Sequence, residues 1–156
     1  MPLEQIELSA LIPASPDKVF TAWMSAKKHA AFTGAAASVD ARVGTRHVAW
    51  GGYIHGWVLK VGPGRRATFA WRTTDFAPGD LDSLVELSVE RAKGGAMVRL
   101  IHSELPAGQG DRYTKGWEDF YFEPLRAYFE KKKKKPEPKK KPEPKKKPEA
   151  KKKPEP

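Results

Sequence analysis

Four histidines, at positions 29, 47, 55 and 102, are the side chains best suited to acid–base or metal chemistry in this 156-residue chain. Their spacing argues against both. No two stand at i and i+4, and none belongs to a His-Glu-x-x-His run, so a helical zinc site is not expected. The chain has no cysteine, which removes thiolate nucleophiles, disulfides and thiolate metal sites and fits a reducing compartment. Gly62-Pro63-Gly64 is followed by Arg65-Arg66 and a strand pattern rather than a helix, so neither a dinucleotide nor a P-loop reading stands. No catalytic residue, metal ligand or cofactor is expected from motifs, and a binding role is favoured over an enzymatic one.

Charge divides the chain in two. The formal net charge is +10, and the 14 Lys and 4 Glu from Lys131 to Pro156 account for all of it, leaving residues 1–130 neutral. The basic balance therefore says nothing about the surface of the domain. Residues 1–130 suit one domain with its own core. They show no leader-like apolar run and no transmembrane segment, so a cytoplasmic protein is expected. Residues 131–156 repeat Lys-Lys-Lys-Pro-Glu-Pro and contain no aliphatic side chain larger than that of Ala150. Such a segment buries too little to offset its ordering entropy and is expected to be disordered, with extended polyproline II stretches. Its lysine blocks suit non-specific attraction to polyanions, whether nucleic acid, anionic lipid or acidic protein. A solvated spacer is the plainer alternative.

Apolar periodicity gives the elements. Glu4 to Ile12 alternates as a strand. Ser15-Pro16 reads as an N-cap and first helical residue, with Phe20, Trp23 and Met24 on one face of a short helix. A second short helix follows over Lys27 to Phe32 and stops near Gly34. From Val39 to Ser103 the period is two, with strands over Arg46–Trp50, Tyr53–Val61, Arg65–Arg72, Leu84–Arg91 and Ala96–His102. Gly51-Gly52 marks a tight turn or bulge and Lys93-Gly94-Gly95 a hairpin. A long helix capped by Asp111 carries the stripe Tyr113, Trp117, Phe120, Tyr121, Leu125, Tyr128, Phe129, and Pro124 inside it predicts a kink.

The order of these elements, and the runs Ile12-Pro13-Ala14-Ser15-Pro16 with Val19-Phe20, Ala31-Phe32-Thr33-Gly34, Gly51-Gly52-Tyr53-Ile54-His55-Gly56, Ala70-Trp71-Arg72, and Gly116-Trp117 with Tyr121-Phe122-Glu123-Pro124-Leu125, carry a family likeness. The chain resembles the C-terminal domain family of the activator of heat-shock protein 90 ATPase, within the SRPBCC group of START or Bet v 1-like folds. The resemblance covers Ile12 to Phe129. It implies an α+β helix-grip fold, a curved antiparallel sheet wrapped around a long C-terminal helix with two short helices after the first strand. One departure stands out: Glu104, in Ile101-His102-Ser103-Glu104-Leu105-Pro106, takes a place where the family commonly has a small turn residue.

A helix-grip fold implies a cavity between sheet and helix, and period two nominates its lining. His47 shares a face with Ala49, Phe69 and Trp71 with Ala67, and His102 with Val98 and Leu100; Trp117 and Tyr121 close the far side. His47, Phe69, Trp71, His102, Trp117 and Tyr121 are the ligand-binding candidates, with the imidazoles available to orient a polar head. The competing expectation is an ordinary core whose polar atoms are bonded internally. His55 is expected to face solvent, and Arg72 to cap or pair locally. Three functions follow: a non-enzymatic domain binding a hydrophobic small molecule or protein client, a chaperone-associated regulator, and a hydrolase or cyclase using the cavity. An open pocket of a few hundred Å³ would favour the first and third, and a filled core the second.

Overall fold

Alternation in the first strand buries Leu8, Ala10 and Ile12 and turns Glu7, Ser9 and Leu11 outward, and this face seeds the core of a computed structural model that describes residues 2–134. Strand β1 (Glu4–Ile12) leads into helices α1 (Pro16–Met24) and α2 (Ala26–Thr33). Ser15 Oγ caps α1 by accepting from Lys18 N, Ser25 Oγ does the same for α2 from Lys28 N, and Gly34 ends α2 in the left-handed conformation at φ 79°. Six further strands follow: β2 (Ala37–Ser38), β3 (Arg46–Ala49), β4 (Ile54–Gly62), β5 (Arg66–Thr73), β6 (Ser83–Ala92) and β7 (Gly95–Leu105). They form one antiparallel sheet in the order β1-β7-β6-β5-β4-β3-β2. The short strand β2 had no signal in the sequence pattern, because two residues cannot display a period.

The long helix comes in three parts: α3 (Gly110–Trp117), a π-helical turn over Glu118–Phe122, and α4 (Glu123–Lys134). The expected irregularity at Pro124 takes this form. Proline has no N–H and its ring crowds the carbonyl four residues back, and a widened turn just before it relieves both, with Glu123 N–H reaching back to the Glu118 carbonyl. The extra residue per turn shifts the apolar stripe. Tyr113, Trp117, Tyr121, Leu125 and Phe129 are buried as expected, but Phe122 is buried at 3% exposure while Phe120 is 55% exposed, the reverse of a straight helix.

The cap of α3 is also not the expected one. Asp111 lies inside the first turn; the carboxylate of Glu4, on β1, accepts from Gly110 N (2.7 Å) and Gly108 N (2.8 Å). These two backbone N–H groups hold the Glu4 carboxyl below its usual range. Between Glu4 and Ile6 the β1–β7 pairing bulges, and Glu104 stands in the bulge with φ 61°, so the departure from a small residue carries a left-handed backbone. At its other end α4 continues through Lys131–Lys134, four residues past the expected domain boundary, and the rest of the lysine-rich segment lies outside the described residues.

Candidate ligand-binding cavity

Sheet alternation brings His47, Phe69, Trp71 and His102 to the concave face, and the long helix brings Trp117 and Tyr121 against it; all six are buried. They do not share one role. His47 Nε2 donates to the Ala70 carbonyl (2.9 Å), so its ring lies across β4 to reach β5. Gly56, its partner in register, permits this, since a Cβ there would collide with the Ala70 carbonyl and stand 2.8 Å from His47 Nε2. Gly56→Ala is expected to cost about 1–3 kcal/mol by overpacking, read as a lower urea midpoint. Phe69 meets the His47 ring edge-on at 5.1 Å.

His102 is fully buried in a chain of directed bonds. Trp117 Nε1–H donates to its Nδ1 (3.0 Å), which puts the imidazole proton on Nε2; that proton goes to Ser83 Oγ (2.8 Å), and Ser83 Oγ–H goes to the Trp71 carbonyl (2.6 Å). Burial lowers the His102 pKa to about 3, so the ring is neutral. This Ser–His pair is no hydrolytic dyad. Ser83 and His102 have no exposed surface, the hydroxyl proton is committed to a carbonyl, and an indole rather than a carboxylate holds Nδ1. The pair fixes the Trp117 ring and the Trp71 main chain, and the His102 ring meets the Trp71 ring edge-on at 4.4 Å.

A third buried imidazole, His29, was not nominated from sequence, because its residue type on a short polar helix reads as surface. Its Nδ1–H donates to the Trp23 carbonyl (2.8 Å) and its Nε2 accepts from the Tyr121 hydroxyl (2.9 Å). Burial lowers its pKa to about 4 and raises that of Tyr121. His55 is half-buried on the outer face, and Arg72 pairs locally with Asp82 (2.9 Å) and with the carbonyls of Asp80 and Ala77.

Trp71, Trp117 and Tyr121, so fixed, line one wall of a cavity of about 330 Å³ between β4, β5 and α3, partly open to solvent. Trp50, Tyr53, Tyr113 and Phe120 complete its aromatic lining, and Arg112 is its one charged lining residue. His47 and Phe69 face a separate space of about 20 Å³, too small for an organic ligand, and His102 lines neither. Sequence reasoning thus found the inner wall and missed the mouth, which the loop Trp50–Gly52 and the α3 edge supply.

Two features of the mouth lower stability. Trp50 holds φ 54°, a left-handed conformation that costs a bulky residue about 1–2 kcal/mol; its ring meets Phe120 edge-on at 5.5 Å. Gly51 and Gly52, at φ 65° and 104°, carry the rest of that turn. Gly116 sits within α3, where glycine costs about 0.8–1.0 kcal/mol relative to alanine, yet a Cβ built there meets nothing within 4 Å. Packing does not require a glycine at 116, and the position opens onto the cavity. Arg112 Nη1 pairs with Asp75 Oδ2 (3.1 Å), which also accepts from the Tyr53 hydroxyl (2.6 Å). Among the described residues no three His, Asp or Glu side chains converge as a metal site, and no helix is long and apolar enough to cross a membrane.

A curved antiparallel sheet closed over a long C-terminal helix, with a cavity between them, defines a helix-grip protein of the START or Bet v 1-like class. Within that class the chain belongs to the family described as activator of Hsp90 ATPase homolog 1-like protein, whose pattern it matches over residues 13–130. Solved structures agree on the fold. An HSP90 activator from Plasmodium falciparum superposes with a TM-score of 0.73 at 21% identity, covering 81% of this chain and 96% of that one. A protein from Mesorhizobium loti gives 0.69 at 23% identity, over 82% and 98%. CalU16 from Micromonospora echinospora gives 0.64 at 23% identity, over 83% and 80%. No curated protein matches the chain in sequence.

Proposed function

We propose that the domain is a non-enzymatic binder of a hydrophobic small molecule, which enters the helix-grip cavity between Trp50 and α3. The observation that carries this reading is the aromatic-lined cavity of about 330 Å³ with an open mouth, within the range of small-molecule sites. A filled core would have argued for surface contacts alone. The test is titration with the neutral fluorescent probe N-phenyl-1-naphthylamine. The full chain is expected to bind it at one saturable site, and Gly116→Leu, which puts a side chain into the mouth, is expected to abolish binding while leaving the melting temperature equal or higher. Equal binding by the two proteins would sink the reading.

Family membership supports a second reading, a regulator that contacts an Hsp90-type chaperone. The structural likeness to an HSP90 activator is consistent with it. Its measurement is the ATPase rate of such a chaperone with and without the protein. Stimulation that survives Gly116→Leu would assign the regulator role to the surface and separate it from the cavity.

The lysine-rich segment is read as a localising polycation. The full chain is expected to bind mixed-sequence duplex DNA or anionic vesicles weakly, without sequence preference. If about six Lys contact phosphates at once, the log–log salt slope on duplex DNA is about −5. Truncation after Lys134 removes 10 of the 14 Lys and is expected to abolish most binding while moving the melting temperature by only a few degrees. Binding unchanged by truncation would put the anion site on the domain.

A further inference from the structure

The mouth has a chemistry of its own. Arg112, Gly116 and Phe120 follow one another at i, i+4 and i+8 along one edge of the long helix, and all three line the cavity. Phe120 is held on one side by Trp50 and Arg112 on the other by Asp75, which leaves Gly116 as the gap between two clasps. Below the gap lie aromatic rings: Trp71 and Trp117 with centroids 5.5 Å apart, and Trp117 and Tyr121 at 4.9 Å. Two of their three polar side-chain atoms are committed to internal partners, Trp117 Nε1 to His102 and Tyr121 Oη to His29. The interior therefore offers faces and edges of rings but little hydrogen bonding.

The rim is different. Arg112 is the one charged residue lining the cavity, and its guanidinium carries five N–H donors in a fork that matches carboxylates and sulfonates. Among the described residues only its Nη1 is engaged, by Asp75 Oδ2, and that same oxygen already accepts the Tyr53 hydroxyl. The rim thus holds surplus donors beside an acceptor whose oxygen is shared twice. A cationic ligand would meet Arg112 in opposition; an anionic one would take its remaining donors.

From this arrangement we infer that the cavity selects an amphipathic anion: a planar, largely aromatic body inserted past Gly116 among Trp71, Trp117 and Tyr121, with one acidic group left at the mouth on Arg112. The inference rests on the ligand-binding reading above and deepens it by naming the class. Arg112 is half-exposed, at 53% for the side chain, so its attraction is moderate and screened by salt.

Two probes separate the two claims. N-Phenyl-1-naphthylamine and 1-anilinonaphthalene-8-sulfonate share a ring system and differ by one sulfonate. All proteins keep the lysine-rich segment, so its attraction for the sulfonate is common to them. The full chain is expected to bind both probes. Arg112→Gln is expected to bind the sulfonate about fivefold more weakly at low salt, in line with a charge-assisted bond at a half-exposed site, and to change the neutral probe's affinity by much less. Gly116→Leu is expected to lose both. An unchanged sulfonate affinity in Arg112→Gln overturns the anion assignment while leaving the cavity reading intact. Failure of the full chain to bind the neutral probe overturns the cavity reading itself. Melting curves of both variants check folding, and Arg112→Lys, which keeps the charge but not the fork, is expected to fall between the wild type and Arg112→Gln; equality with Arg112→Gln would overturn the charge attraction in the assignment.

Discussion

Trp117→Ala and Phe122→Ala are each expected to lower stability by about 3–5 kcal/mol, and Phe120→Ala by less than about 1 kcal/mol. A straight helix through Pro124 would give the opposite order for the two phenylalanines, so the experiment reads the π-helical turn directly. Trp117 is buried at 4% exposure and touches Trp23, Trp71, Tyr121 and His102 with ring centroids 4.9–6.1 Å apart. Its loss also strands His102 Nδ1 without a donor in a dry site, which adds to the packing term. One face of the indole borders the cavity, which takes some contacts away from it. Phe120, by contrast, is 55% exposed and meets Trp50 at the mouth, so its removal is expected to show in ligand binding before it shows in the urea midpoint. A large loss for Phe120→Ala with a small one for Phe122→Ala would mean that the helix face is continuous and the mouth is misplaced.

The concave face of the sheet was legible in the sequence because strands display their faces by simple alternation. Ala67, Phe69 and Trp71, and Val98, Leu100 and His102, could be assigned to one side without any knowledge of what lay opposite. The elements themselves followed from caps and glycines that act locally, such as Ser15, Ser25 and Gly34. What failed to show was whatever depends on distant partners. Glu4 caps a helix that starts more than a hundred residues later, and nothing around Asp111 signals it. His29 is buried because Tyr121 and Trp23 happen to cover it. The mouth depends on the turn at Trp50, the gap at Gly116 and the Arg112–Asp75 pair, contributed by three separate stretches; each looks ordinary in its own context. The swap between Phe120 and Phe122 follows from a local cause, Pro124, but the response of the helix, a widened turn rather than a simple bend, is decided by how the aromatic stripe must dock on both sides of it.

Acid is expected to unfold this protein through its buried imidazoles. His29 and His102 have folded-state pKa values of about 4 and about 3, against 6.5 when exposed, and burial lowers His47 as well. Below pH 6.5 the unfolded chain takes up protons that the folded chain refuses. Their contribution to stability is therefore complete above pH 6.5 and is lost as the pH falls toward 4 and 3. Each such histidine removes about 1.4 kcal/mol per pH unit within its window, so His29 and His102 together account for about 4 kcal/mol by pH 5. That is a large share of the 5–15 kcal/mol typical of a domain. Glu4 adds to the loss only lower down, below pH 4.5, where its carboxylate protonates and lets go of Gly108 and Gly110. Urea unfolding at pH 7.5, 6.0 and 5.0 reads the slope, and an uptake of two to three protons on unfolding between pH 6.0 and 5.0 is the expected result. A flat profile across that range would mean that the imidazoles are protonated in the folded protein. In that case Nδ1 of His102 could not accept from Trp117, nor Nε2 of His29 from Tyr121, and the wall of the cavity would lose the bonds that hold its rings in place.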